Sequence, residues 1–216
     1  GYVVPQVANV FAGTKRALPF LTVAMLAISD FVRNYGWFVL IAIILITIGF
    51  RIALRYDEMR EKFDAAWLNI PLIGKLARGY NAARFASTLA MLATAGVPIL
   101  KSLQAAAMTL NNRAMRSDAL DALVLVREGA PLASAIGQKK RFPGIVSMFA
   151  RLGEQTGQLP LMLSRAAKQL SSEVQRRALY LATLLEPLLI VTMGLVVMLI
   201  VLAVLLPIIQ LNQLVK

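Results

Sequence analysis

Apolar residues along this chain form two long unbroken runs, separated by a stretch in which they recur every three or four positions. Leu188–Ile209 holds twenty-two residues without a charge, directly behind Glu186-Pro187. As helix that run is roughly 33 Å long, enough to cross a bilayer. Asn34–Phe50 is a second run, of 17 uncharged residues, about 25 Å as helix and within spanning range. Arg33 and Arg51 bracket it in positions to snorkel, Ile52–Leu54 prolongs it, and Tyr35 and Trp37 lie near one end, where interfacial aromatics belong. Its isoleucine-rich sequence has no polar face, which speaks against a buried core helix. A third apolar stretch, Leu18–Ser29, has only 12 residues and contains Pro19, so it is expected to lie on a membrane rather than in it.

Between the runs the period is helical. Phe85, Leu89 and Leu92 share one face, as do Ile99, Leu103, Ala106 and Leu110. Ile145, Met148, Phe149 and Leu152 make a third stripe. Leu163, Ala166, Leu170 and Val174 make a fourth, with Arg165, Lys168 and Gln169 opposite. All four are expected to face a core, and no run alternates with period two. Gly96-Val97-Pro98 ends one helix with a residue free to take positive φ and starts the next with proline in its first turn. Glu128-Gly129-Ala130-Pro131 repeats the device, Asn111-Asn112 supplies a stop and a cap, and Phe142-Pro143 opens a further helix. Gly153-Glu154-Gln155-Thr156-Gly157 closes that helix before Leu159-Pro160 begins the last, which has no breaker from Leu161 to Glu186 and so can run straight on. The fold class is therefore all-α, an antiparallel bundle of about six helices flanked by two transmembrane helices.

Charge decides orientation. The chain has 216 residues, 23 Lys/Arg and 11 Asp/Glu, a formal net +12, with a mean hydropathy of +0.68. Most of the excess lies between the apolar runs. Arg51, Arg55, Arg60 and Lys62 follow the first, and Arg165, Lys168, Arg176 and Arg177 precede the second. By the positive-inside rule both flanks are cytoplasmic, although Lys15 and Arg16 fall on the other side. Residues 1–33 then read as the end of a preceding transmembrane segment plus a short external loop. Residues 34–54 are a transmembrane helix, 55–186 a cytoplasmic bundle, 187–210 a second transmembrane helix and 211–216 an external tail. Gly1–Val10 resembles the tail of an apolar segment, so the chain is expected to be a fragment of a longer protein.

Candidate chemistry is sparse. With no Cys and no His, disulfides, thiolate chemistry, His-ligated metals and a Ser-His triad are excluded. Gly74-Lys75-Leu76 lacks the glycine and hydroxyl of a phosphate loop, and no carboxylate pair suits acid–base work. Asp57, Glu61 and Asp64 share a helical face, but Arg60 and Lys62 among them indicate solvated charge rather than a cation site. No cofactor is called for. Glu128 and Glu154 fall in final helical turns, where the dipole disfavours them. Each is either exposed and screened or held by a basic partner. Glu186 followed by Pro187 suits the first turn of a helix, as an interfacial anchor or a contact with another membrane subunit. Three basic clusters, Arg113 with Arg116, Lys139-Lys140-Arg141 and Arg176-Arg177, form either a solvated face or a surface for anionic lipids or an acidic protein. Nucleic acid is not expected, for want of aromatics among these clusters.

Several segments resemble the bacterial type II secretion system F / type IV pilus assembly C family. They are the stretch from Phe85 to Pro98, Val126-Arg-Glu-Gly129, Phe142-Pro143, Gly153-Glu-Gln-Thr-Gly-Gln-Leu159 and Leu185-Glu-Pro-Leu188, with Tyr2-Val-Val-Pro5 and Leu18-Pro19 near the start. The resemblance implies two similar cytoplasmic bundles and three membrane spans, of which this chain matches the second bundle and the last two spans. It also implies a multi-pass protein of the bacterial inner membrane, with the external loop and tail periplasmic. Such a protein is not an enzyme but a homo-oligomeric platform between a hexameric secretion ATPase, other inner-membrane secretion subunits and pseudopilins. Gly96, Pro98, Glu128, Gly129, Phe142, Pro143, Gly153, Glu154, Gly157, Glu186 and Pro187 are the motif positions, with architectural or interfacial roles. A transporter or permease subunit is the alternative. It would need polar residues lining a path, and the spans offer little beyond Thr47, Thr192 and glycines.

Overall fold

A computed structural model describes residues 20–212. Expectations for the segments at Tyr2–Pro5 and Leu18-Pro19, for Lys15 and Arg16, and for residues 213–216 lie outside the described residues. The chain divides into two compact units, one of Ile52–Ala182 and one formed by the chain on either side of it. Among the described residues every regular element is helical.

Two helices carry the apolar runs. Helix α1, Phe20–Ala53, is 34 residues long. Its Asp30–Ala53 part is apolar and long enough to cross a membrane, with none of its most apolar window buried. Residues 20–33 belong to this same helix, so the segment read from Leu18–Ser29 is helical from Phe20 onward and continuous with the apolar run. Helix α8, Leu159–Asn212, runs 54 residues without a break. Glu186 and Pro187 therefore lie inside a helix, which corrects the reading of them as a helix start. Proline cannot donate to the carbonyl four residues back, but long apolar helices tolerate such a site because local adjustments and neighbouring side chains compensate.

The unit Ile52–Ala182 contains six complete helices and the first part of α8. They are α2 (Asp57–Trp67), α3 (Ile73–Thr94), α4 (Ile99–Met108), α5 (Arg113–Arg127), α6 (Leu132–Gly137) and α7 (Gly144–Thr156). Packing follows chain order, with α3 on α4, α4 on α5, α5 on α6 and α6 on α7, while α2 reaches α5. Phe85, Leu89, Leu103, Leu110, Met115, Ile136 and Leu163 fill the core. Phe85 meets Phe142 edge-on with ring centroids 5.2 Å apart. Much of the remaining core is alanine, among it Ala82, Ala86, Ala106, Ala119 and Ala166, which lets helices approach closely.

One expected stripe is half right: Ile145 packs against the core and Phe149 is half-buried, but Met148 and Leu152 face outward. On α7 the buried residues are Val146, Ala150 and Gly153, whereas Met148 and Leu152 are 59% and 46% exposed. The inner face was chosen for small size. A Cβ added at Gly153 would stand 2.7 Å from the Leu159 Cα, so α7 and α8 touch almost backbone to backbone. Hydropathy favours the bulkier face and misses this.

Candidate functional site

The motif residues fall at corners of the bundle. Gly96, Gly129 and Gly157 all have positive φ, at 77°, 97° and 69°. The first two corners share one hydrogen-bond scheme. Val97 N–H donates to Leu92 O at 3.0 Å, and Ala130 N–H donates to Leu125 O at 2.9 Å, the six-to-one bond that satisfies a helix's last carbonyls. Pro98, Pro131 and Pro143 then stand as the residues just ahead of α4, α6 and α7, with φ of −52°, −59° and −60°. They precede the first helical turn rather than occupy it, because each keeps an extended ψ near 140°.

Glu154 is held, though not by a cation as the ion-pair reading required. Its carboxylate accepts from the backbone N–H of Leu132 at 2.6 Å and of Ala133 at 3.3 Å. The C-terminal end of α7 thus caps the N-terminus of α6, where unsatisfied N–H groups and the positive helix pole favour an anion. Glu128 is exposed, directly behind α5, in keeping with the screened alternative. Glu186 is exposed as well.

The basic clusters dissolve when their partners are traced. Arg113 pairs with Asp57. Both Nε and Nη2 of Arg116 donate to Leu110 O, at 3.2 and 2.7 Å, closing the end of α4. Lys139 pairs with Asp121 and Arg141 with Asp118, each at 2.8 Å, and Arg177 pairs with Glu173. Asp118 is 8% exposed, so Arg141 neutralises a nearly buried carboxylate. Of the seven cations only Lys140 and Arg176 are exposed with no ion-pair partner among the described residues. At Lys139-Lys140-Arg141, therefore, the outer two cations are ion-paired and Lys140 between them is not.

The sequence reading missed a polar knot that ties α2 and α3 to the α4–α5 corner. Asp64 Oδ2 accepts from the Arg113 N–H at 2.7 Å, and Asn112 Nδ2 donates to the Asp64 carbonyl at 2.9 Å. Asn112 also caps α5, accepting from the Met115 N–H at 3.0 Å. Asn81, 6% exposed, accepts from the Asn111 and Asn112 N–H groups at 3.0 and 3.3 Å. A polar residue amid the alanines of α3 was the available signal. Among the described residues no group of three His, Cys, Asp or Glu is placed to hold a metal.

This arrangement of the described residues positions helices and presents surfaces. Its class is that of a helical bundle joined to two apolar helices of membrane-spanning length. Comparison with known proteins makes the class specific: residues 85–207 match the family model for type II secretion system (T2SS), protein F. The chain is 41% identical over its whole length to type II secretion system protein F of Pseudomonas aeruginosa, covering 53% of that protein. It is 34% identical over 98% of its length to the protein of the same name from Vibrio cholerae, covering 52% of it. To type IV pilus assembly protein PilC of Thermus thermophilus it is 32% identical over 95% of its length, covering 51%. The chain belongs to the type II secretion system protein F family, and it spans about half the length of the curated relatives it matches.

Proposed function

We propose that this chain is part of an inner-membrane platform in a bacterial type II secretion machine, type IV pilus assembly being the other branch of the same family. Residues 55–186 form its cytoplasmic bundle, and residues 34–54 and 187–210 cross the inner membrane. The bundle receives binding or motion from a hexameric secretion ATPase. The membrane helices meet neighbouring copies, other inner-membrane subunits and the pseudopilins being assembled. The role is coupling without catalysis. One observation carries this reading: family identity extends over the whole chain and coincides with a bundle whose flanking helices are both of spanning length. A permease is disfavoured by the same helices. Thr47 and Thr192 spend their hydroxyls on their own helix, donating to Ile43 O at 2.7 Å and Leu189 O at 3.0 Å.

The test uses the absence of cysteine. Lys140→Cys, in a full-length protein in which any cysteine outside these 216 residues is replaced by serine, supplies a single exposed thiol for cross-linking in native membranes, with captured proteins identified by mass spectrometry. Capture of a secretion ATPase or an inner-membrane secretion subunit is the expected result. Capture of only lipid or further copies, with thiol labelling proving access, would remove this corner from the coupling surface.

A further inference from the structure

Helix α3 and the first part of α8 are in close contact at Gly79, where an added Cβ would stand 2.7 Å from Val174 Cγ2. Beside that contact lies a cleft of about 190 Å³ with Lys75, Arg78, Arg141 and Arg177 in its lining, over a floor that includes Phe142 and Leu170. One carboxylate, Glu173, also lines it and is engaged by Arg177. Arg141 is engaged by Asp118. Lys75 and Arg78 have no carboxylate partner among the described residues. Arg78 gives Nη2 to the Asn69 amide oxygen at 3.2 Å, while its Nε is buried with no acceptor. Two cations without a carboxylate partner in one cleft suit an anionic ligand.

Arg177 also lines a second cavity, an open groove of about 340 Å³, together with Leu72, Leu76, Arg176, Tyr180 and Leu181. Leu72 and Tyr180 are 63% and 65% exposed, and the chain leading into α3 also exposes Trp67 and Ile70. Uncommitted cations beside an exposed apolar groove match an amphiphile that carries a phosphate, rather than free phosphate or an acidic peptide. On the same helix the charge-free run opens at Leu188, roughly three turns beyond Arg177.

We propose that this cleft binds an anionic glycerophospholipid. Lys75 and Arg78 hold its phosphate, and Leu72, Leu76 and Tyr180 pack against its glycerol and upper acyl carbons. The proposal rests on the membrane reading given above, which alkaline carbonate extraction of membranes carrying the chain tests separately.

The chain, purified in detergent, is titrated with dioleoyl phosphatidylglycerol or dioleoyl phosphatidylcholine, and bound lipid is counted by native mass spectrometry. Lys75→Gln and Arg78→Gln are each expected to weaken the tightest phosphatidylglycerol site about fivefold, and together more than tenfold. Phosphatidylcholine binding stays unchanged. Arg165→Gln/Lys168→Gln removes equal charge from the opposite face of α8 and leaves phosphatidylglycerol binding as it was. Equal losses in the two double variants would reduce the effect to net charge and overturn the proposal, as would no loss in either. Displacement of the lipid by millimolar inorganic phosphate would overturn it in favour of a free-anion pocket. Circular dichroism qualifies each variant, and Lys75→Gln, on an exposed side chain, carries the test alone if Arg78→Gln misfolds.

Discussion

The Glu154 carboxylate sits at the negative end of its own helix and gains its place from the opposite end of another. Two N–H groups of α6 reach it at once, and these charge-assisted bonds offset the unfavourable pole of its own helix. Glu154→Ala is expected to cost about 1–2 kcal/mol; Glu154→Gln keeps an acceptor and costs less. Thermal unfolding in detergent followed by circular dichroism ranks the two. Next to it, Gly153→Ala directs a methyl at the Leu159 backbone, which cannot swing aside. An overpacking loss of about 1–3 kcal/mol is expected in the same assay. Adjacent residues thus fix one corner by different means, one by charge and one by the lack of a side chain. Neither role follows from local sequence, since Glu154 bonds a helix more than twenty positions away.

At the scale of elements, α7 and α5 hold the sharpest expectations. Val146→Ser buries a hydroxyl in an apolar layer and is expected to destabilise by about 2 kcal/mol or more. Met148→Ser, on the exposed face, stays within about 0.5 kcal/mol. Equal effects would mean that α7 is rotated from the register described. Arg141→Ala strands Asp118 and is expected to lower stability by about 1–3 kcal/mol, discounted because Arg141 remains partly in water. Asp118→Ala/Arg141→Ala recovers part of that loss, the mark of a pair in a double-mutant cycle. The corners were legible because glycine and proline write backbone geometry within three or four residues. The α7 register was not, because Ile145, Met148 and Leu152 outweigh Val146 and Ala150 in hydropathy while the close approach at Gly153 selects small side chains. The basic clusters misled for a related reason: the partners of Lys139 and Arg141 lie 18 and 23 positions back, on α5.

At the scale of the molecule, residues 51–186 carry 19 Lys/Arg against 10 Asp/Glu, which suggests a uniformly basic body. Three carboxylates, Asp57, Asp118 and Asp121, pair with cations of other segments, and Glu173 pairs along its own helix with Arg177. Cations outside those pairs include Lys140, Arg176, Lys75 and Arg78. Fold class and the two long apolar helices were legible because long apolar runs and helical periodicity survive any detail of packing. The division of cations between structure and surface was not, because it depends on pairings across helices. The chain-order packing of α3 through α7 also has a kinetic meaning. Contacts between successive segments form at little cost in loop closure, and chains built from them collapse within microseconds to milliseconds. Each corner can therefore close as it leaves the ribosome, before its distant partners exist. The exception is α2, whose Asp64 waits 49 positions for Arg113; the first helix of the Ile52–Ala182 unit is tied down only once α5 has been made.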